Sequence, residues 1–205
     1  MLVAAKPERR PAIEQLIQAT FQVRKAVLAL DMSGYSLSVR LDGILSCLRK
    51  IRQMQKLTLP LVQANHGSLV KFEADNLLAV FDRPFDAVKA AVAIQRAAQQ
   101  TAEPNSPDRP LTFSIGIDYG DILLVDDLEC FGDPVNLAYK LGEDVAQPGE
   151  ILITPRVREP LPAIADFQVE EVSLSLNGVP LPAYRVLFER TGAATTPTPA
   201  LPEPI

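Results

Sequence analysis

Ala26-Val27-Leu28-Ala29-Leu30-Asp31-Met32-Ser33-Gly34-Tyr35-Ser36 is an apolar run that ends in a carboxylate and then turns. The unbroken apolar residues read as a buried strand over residues 25–32. An Asp at the tip of such a strand is costly to bury unless something positive meets it. A similar arrangement recurs downstream. Asp75 follows Leu69-Val70-Lys71-Phe72-Glu73-Ala74 and precedes Asn76-Leu77-Leu78-Ala79-Val80-Phe81. Segments 68–73 and 76–81 read as two strands flanking Ala74-Asp75. Taken alone, Asp31 also reads as a strand-end or turn Asp. Two such Asp, each beside a turn, suggest a divalent-cation site and metal-assisted phosphate chemistry.

Around these strands the pattern alternates. Leu41, Ile44, Leu45, Leu48, Ile51 and Met54 recur at spacings of three and four, which predicts a helix over 37–64. Asn65-His66-Gly67 is a turn. Pro84 opens a helix to about Gln100, with Phe85, Val88, Ala91 and Val92 inward. Strands follow at 111–118 and 121–125, joined by a turn at Tyr119-Gly120, and a helix runs from about Pro134 to Val145. Glu150 to Thr154 is a strand, and 166–176 with 180–189 form a hairpin turning at Asn177-Gly178. The order strand, helix, strand, strand, helix, strand is a ferredoxin-like α+β pattern, βαββαβ, with further elements after it. Pro11, Ile13, Leu16, Ile17 and Phe21 place a short helix within a lead-in over 1–24. The main domain is expected over 25–190. Thr191 to Ile205 holds four Pro, and it and the polar stretch Glu103 to Pro110 read as a disordered tail and a loop.

The 205 residues fit one ordinary domain with a tail, and 47% apolar content fills a core. A net charge of -5 argues against nucleic acid or an anionic membrane surface as partner. No apolar run reaches bilayer-spanning length and no signal-peptide pattern opens the chain, so a cytoplasmic location is expected. Cys47 and Cys130 build no disulfide framework, and with His66 they build no zinc site.

Four stretches together resemble the class III nucleotidyl cyclases. They are Leu28 to Ser36; Gly67 to Asp75 with Ala79-Val80-Phe81; Phe113-Ser114-Ile115-Gly116-Ile117-Asp118-Tyr119-Gly120; and Phe131-Gly132-Asp133-Pro134-Val135-Asn136-Leu137-Ala138 with Gln147 to Ile153. Each is short, and their order and spacing carry the likeness over roughly residues 25–189.

The resemblance implies an adenylate cyclase that converts ATP, in preference to GTP, to 3′,5′-cyclic AMP and pyrophosphate. It implies two Mg²⁺ or Mn²⁺ ions per site on Asp31 and Asp75. Backbone N–H groups of Ser33, Gly34 and Tyr35 are expected to cradle phosphate oxygens. Lys71 stands where the family selects adenine, and Glu129 at the second purine-selecting position, where it could pair with Lys71. From spacing alone, Lys71 also reads as a solvated strand Lys. Asn136 would orient the ribose. Lys140, one turn on, stands where the family carries a transition-state Arg; it keeps the charge and loses the planar fork, and otherwise reads as an exposed helix Lys. Cys130 reads as a small buried apolar residue.

Further departures are Ala74 in place of a Gly, a short connection from Gly120 to Gly132, and Asn177-Gly178-Val179-Pro180 where a phosphate-binding Lys is expected. The family's site forms across a two-fold dimer, which implies a homodimer, or a heterodimer with another cyclase chain. The alternative is a degenerate cyclase homology domain that binds nucleotide, or a partner cyclase chain, without turnover.

Overall fold

The computed structural model describes residues 10–101, 110–163, 165–176 and 179–189. The expected tail, most of the 103–110 loop and the turn at Asn177-Gly178 lie outside them. Strand β1 (Gln22–Met32) runs through the middle of one sheet and begins three residues earlier than its apolar run suggests. It is flanked by β3 (Asn76–Phe81) and β4 (Phe113–Val125), both antiparallel to it. With β2 (Gly67–Glu73), β6 (Ile151–Ile153), β7 (Phe167–Leu176) and β8 (Val179–Phe188), the order is β2-β3-β1-β4-β6-β8-β7. The first four strands with their helices form the expected βαββαβ core. β6 lies parallel to β4, and β8 and β7 extend the sheet beyond it.

The sheet buries both faces, which is why its central strands are unbroken apolar runs. Along β1 the side chains alternate between two cores. Ala26, Leu28, Leu30 and Met32 join the larger one with Met54, Phe81, Val88 and Phe113. Val27 and Ala29 join the other with Val70, Leu78, Cys130, Val135 and Ala138. Helices α3 (Ile44–Ala64) and α4 (Pro84–Gln100) supply the first layer, and α5 (Asp133–Tyr139) the second. A preceding helix, α1 (Arg10–Phe21), sits where the Pro11 pattern puts it, with none of its residues fully buried.

Three sequence expectations are corrected. The predicted 37–64 helix is two helices, α2 (Tyr35–Asp42) and α3, separated by Gly43 at φ 78. A left-handed Gly ends the first helix and resets the phase of the second. The stripe that faces the core is therefore Cys47, Ile51, Met54, Thr58 and Val62, while Leu41, Ile44, Leu45 and Leu48 are 65%, 56%, 75% and 48% exposed.

Tyr119-Gly120 is no turn. β4 continues through it, because β1 pairs with every residue from Phe113 to Leu123. Gly120 instead clears space: a Cβ there would lie 3.0 Å from the Pro134 ring at the start of α5. The chain reverses later, at Asp126-Asp127, both at positive φ as a type I′ hairpin requires, and returns as β5 (Glu129–Phe131). The helix predicted to Val145 is α-helical only to Tyr139 and becomes a π-helical turn over Lys140–Val145.

One buried charge ties these parts together. Asp118 on β4 is fully buried. Its carboxylate accepts from the Thr154 hydroxyl and from the Arg156 guanidinium, whose Nε lies 3.1 Å away. Arg156, on the short helix α6 (Pro155–Arg158), also donates to Asp133 at 2.7 Å, at the first turn of α5. Removing the guanidinium strands a buried carboxylate. Arg156→Ala is expected to cost about 3 kcal/mol in urea unfolding. A loss below about 0.5 kcal/mol, the usual range of a plain surface substitution, would show that the clamp does not hold α5.

Candidate metal and nucleotide site

Asp31 is the penultimate residue of β1. In the ladder it stands opposite Asn76 on one side and Ser114 on the other. The turn that follows is pinned from both flanks. The Met32 N–H donates to the Asp75 carbonyl at 3.1 Å, and the Ser33 N–H donates to the Thr112 carbonyl at 2.9 Å. The Ser33 and Ser114 hydroxyls lie 3.0 Å apart. Asp75 sits in the β2–β3 turn, where Ala74 takes the left-handed conformation at φ 50. The family's usual Gly is better suited to that position, and Ala holds it at some strain.

The two strand-end carboxylates are thus brought together. Burial pushes the Asp31 carboxyl up to about 6, with Asp75 and then Glu143 adding repulsion. Asp75 is also raised by burial, against its own backbone hydrogen bond. Among the described residues neither carboxylate pairs with a Lys or Arg. Two half-buried, unneutralised carboxylates, with an Asn amide next in sequence, form a hard oxygen donor set that suits Mg²⁺ or Mn²⁺. The Asn76 Oδ1 is buried and has no hydrogen-bond partner, which leaves one more oxygen acceptor beside the pair.

One of the three N–H groups expected to cradle phosphate is engaged elsewhere. The Ser33 N–H is spent on Thr112, so it is not free to bind an anion. Gly34, at φ 77, precedes α2, and the N–H groups at that helix start, Tyr35 among them, lack intrahelical acceptors. Tyr35 packs against the main core, and its hydroxyl is raised by burial and by Asp75.

Lys71 and Glu129 do not form the pair that the resemblance allows. Lys71 Nζ lies 3.1 Å from Glu73 Oε2, and no contact joins it to Glu129 among the described residues. Strand alternation explains this: Glu129 and Phe131 are exposed, while Cys130 between them turns inward and is 9% exposed. Cys130 is buried as expected. Burial pushes its thiol up to about 11, and the Lys71 ammonium pulls the other way.

Asn136 and Lys140 share the solvent-facing side of α5 and its continuation, opposite Pro134, Val135 and Ala138. Lys140 Nζ is held by Asp144 at 3.2 Å. Neither residue contacts Asp31 or Asp75 within one chain.

Two residues of this neighbourhood escaped the sequence reading. Glu143, on the π-helical turn, accepts from Asn76 Nδ2 at 2.7 Å. Its carboxyl is raised by burial, then by Asp144, Asp75 and Glu73. The turn can approach because Gly116 and Gly142 lack side chains: a Cβ on Gly116 would fall 2.1 Å from the Ala138 carbonyl oxygen. A glycine inside a helical segment was the one local sign. The Tyr139 hydroxyl, pushed up to about 12 by burial and then by Glu73, Glu143 and Cys130, lies in the same region.

Comparison with known proteins bears on the fold and the family. No family model matches the chain. A Rhizobium meliloti protein named "Putative adenylate cyclase 3" is 31% identical over 134 residues, 65% of this chain and 22% of that protein. An uncharacterised Mycobacterium tuberculosis protein is 32% identical over 140 residues, 68% of this chain and 35% of that protein. The matched stretch therefore spans about a fifth to a third of these relatives. Among solved structures, an adenylate/guanylate cyclase/hydrolase from Silicibacter pomeroyi superimposes with TM-score 0.68 at 29% identity, over 81% of this chain and 97% of that one. The adenylyl cyclase from P. aeruginosa gives TM-score 0.67 at 19% identity, over 83% and 97%.

Because Asp31 is raised above the ordinary value of 3.8, the folded chain binds more protons than the unfolded chain between about pH 4 and 6. Stability of the cation-free protein therefore falls as pH rises through that window and levels off above it. Asp31→Asn is expected to flatten this slope in urea unfolding, and Asp75→Asn to lower the Asp31 value read by carboxyl ¹³C NMR. An Asp31 that titrates near 4 in the wild type would refute the coupling.

Proposed function

We propose, from the premise that this chain carries a class III nucleotidyl cyclase homology domain, that it converts ATP to 3′,5′-cyclic AMP and pyrophosphate in a homodimer. The observation that carries the reading is the convergence of Asp31 and Asp75, with no Lys or Arg paired to either among the described residues. Left alone the pair repels, and a divalent cation relieves it. Asp31 and Asp75 would hold Mg²⁺ or Mn²⁺, which when bound supply Lewis acidity to the ribose 3′-hydroxyl and charge neutralisation to the triphosphate.

The chain's own groups divide the remaining work. The Gly34 and Tyr35 N–H groups at the start of α2 meet triphosphate oxygens. The 3′-oxygen forms its bond to the α-phosphorus as the bond to pyrophosphate breaks, and the 3′-hydroxyl proton leaves to solvent. Asn136 orients the ribose and Lys140 faces charge growing at the α-phosphate. Both project to solvent from a helix whose inner side is buried, so they are available to a second copy's carboxylates rather than to their own. Lys71 leans towards ATP, since an ammonium donates to a purine ring acceptor. Its ammonium lies close enough to Cys130 to lower that thiol, while no hydrogen bond or ion pair joins it to Glu129 among the described residues.

A second reading is favoured by one feature. Lys140 supplies a point charge where a planar fork is expected, and it is engaged by Asp144. On that reading the domain binds nucleotide, or a partner cyclase chain, without turnover.

Purified protein with Mn²⁺ and either ATP or GTP decides between them. Cyclic AMP formation is expected, with Asp31→Ala reducing it at least about 100-fold and Lys140→Arg raising kcat. Metal-dependent nucleotide binding with no product from either nucleotide supports the binding module. Product formation unchanged in Asp31→Ala overturns the cation role.

A further inference from the structure

We infer that Glu143 is a positioning residue for the cation site, acting through Asn76. The inference rests on the cation reading of Asp31 and Asp75. Asn76 directly follows Asp75 and faces Asp31 across the β1–β3 ladder, so its side chain shares a sheet face with Asp31. An Asn amide can turn either end towards a given neighbour. Here Nδ2 donates to Glu143 Oε1 at 2.7 Å, which fixes the amide with its oxygen left over. That oxygen is buried and lacks a partner. A buried acceptor without a donor is costly, and such atoms call for an ion or water. Beside two carboxylates of a hard-cation site, the Asn76 oxygen is suited to a cation or to a water that the cation carries.

The backbone explains how Glu143 gets there. In an α-helix continuing α5, side chains would follow 3.6-residue spacing. The π-helical turn Lys140–Val145 widens the helix where it crosses Ala29 and Gly116, and Gly142 rests on both: a Cβ on Gly142 would lie 3.0 Å from the Ala29 carbonyl oxygen and 3.0 Å from the Gly116 nitrogen. Ala29 and Gly116 are one same-face step along β1 and β4 from Asp31 and Ser114. The turn thus seats Glu143 over the end of the sheet that carries the carboxylates. A π turn at such a place is a common mark of a functional adjustment.

The test is Mn²⁺ binding by titration calorimetry on the full chain, without nucleotide, for wild type, Asp31→Ala, Glu143→Ala and Glu143→Gln. Thermal melting of each variant checks folding. Gln keeps the oxygen that accepts from Asn76 and discards the charge. Glu143→Ala is expected to weaken Mn²⁺ binding about five- to tenfold, and Glu143→Gln to stay within about twofold of wild type. Equal weakening by Ala and Gln would overturn positioning in favour of plain charge. No weakening by Ala would overturn any role for Glu143. Unchanged binding by Asp31→Ala would instead remove the cation reading beneath it.

Discussion

Repulsion between two carboxylates held at one end of a sheet is the constraint on which this molecule turns. Asp31 stands near the tip of the central strand β1, and Asp75 in the turn between β2 and β3, the latter β1's neighbour. The Met32 N–H to Asp75 carbonyl bond closes the gap between them. Everything around the pair is built to keep it there: two apolar cores on opposite faces of β1, a left-handed Ala74, and a second helical layer set close by Gly116 and Gly142. Such a pair, half-buried and with no Lys or Arg paired to it among the described residues, carries an electrostatic cost that a divalent cation would offset.

The other chemical groups do not gather at that point within one chain. Asn136 and Lys140 look outward from α5, with their helix anchored on the sheet by Val135 and Ala138 and at its start by the Arg156 bridge between Asp118 and Asp133. The arrangement places acids and helix cations on separate surfaces of the same domain. A two-fold partner would join one surface to the other and form two equivalent sites. Lys140 lies 3.2 Å from Asp144, so the role proposed for it at a phosphate requires its ammonium to leave that surface pair.

Much of this was legible from the chain. The strand ending in Asp31, the β2–β3 hairpin around Asp75 and helix α4 follow directly from apolar runs and turn residues. What stayed hidden depended on tertiary context. Tyr119-Gly120 looks like a turn locally, yet β1 is long enough to pair straight through it. Leu41, Ile44, Leu45 and Leu48 have helical spacing, but the break at Gly43 rotates them to solvent. Glu129 and Cys130 are adjacent, and only their pairing with β4 decides which one turns towards Lys71. The Ser33 N–H is lost to a partner, Thr112, some eighty residues away in sequence. Glu143 reaches Asn76 only through a π turn, which leaves almost no trace in periodicity.

The proposed chemistry requires that Asp31 and Asp75 share a divalent cation. Crystals of the protein grown with Mn²⁺ and a 3′-deoxy ATP analogue, which lacks the attacking hydroxyl, test it most directly through the anomalous scattering of manganese. Anomalous density is expected between the Asp31 and Asp75 carboxylates, with Asn136 and Lys140 of a second copy facing the nucleotide. Bound nucleotide with no manganese at that pair, or manganese held elsewhere, would contradict it.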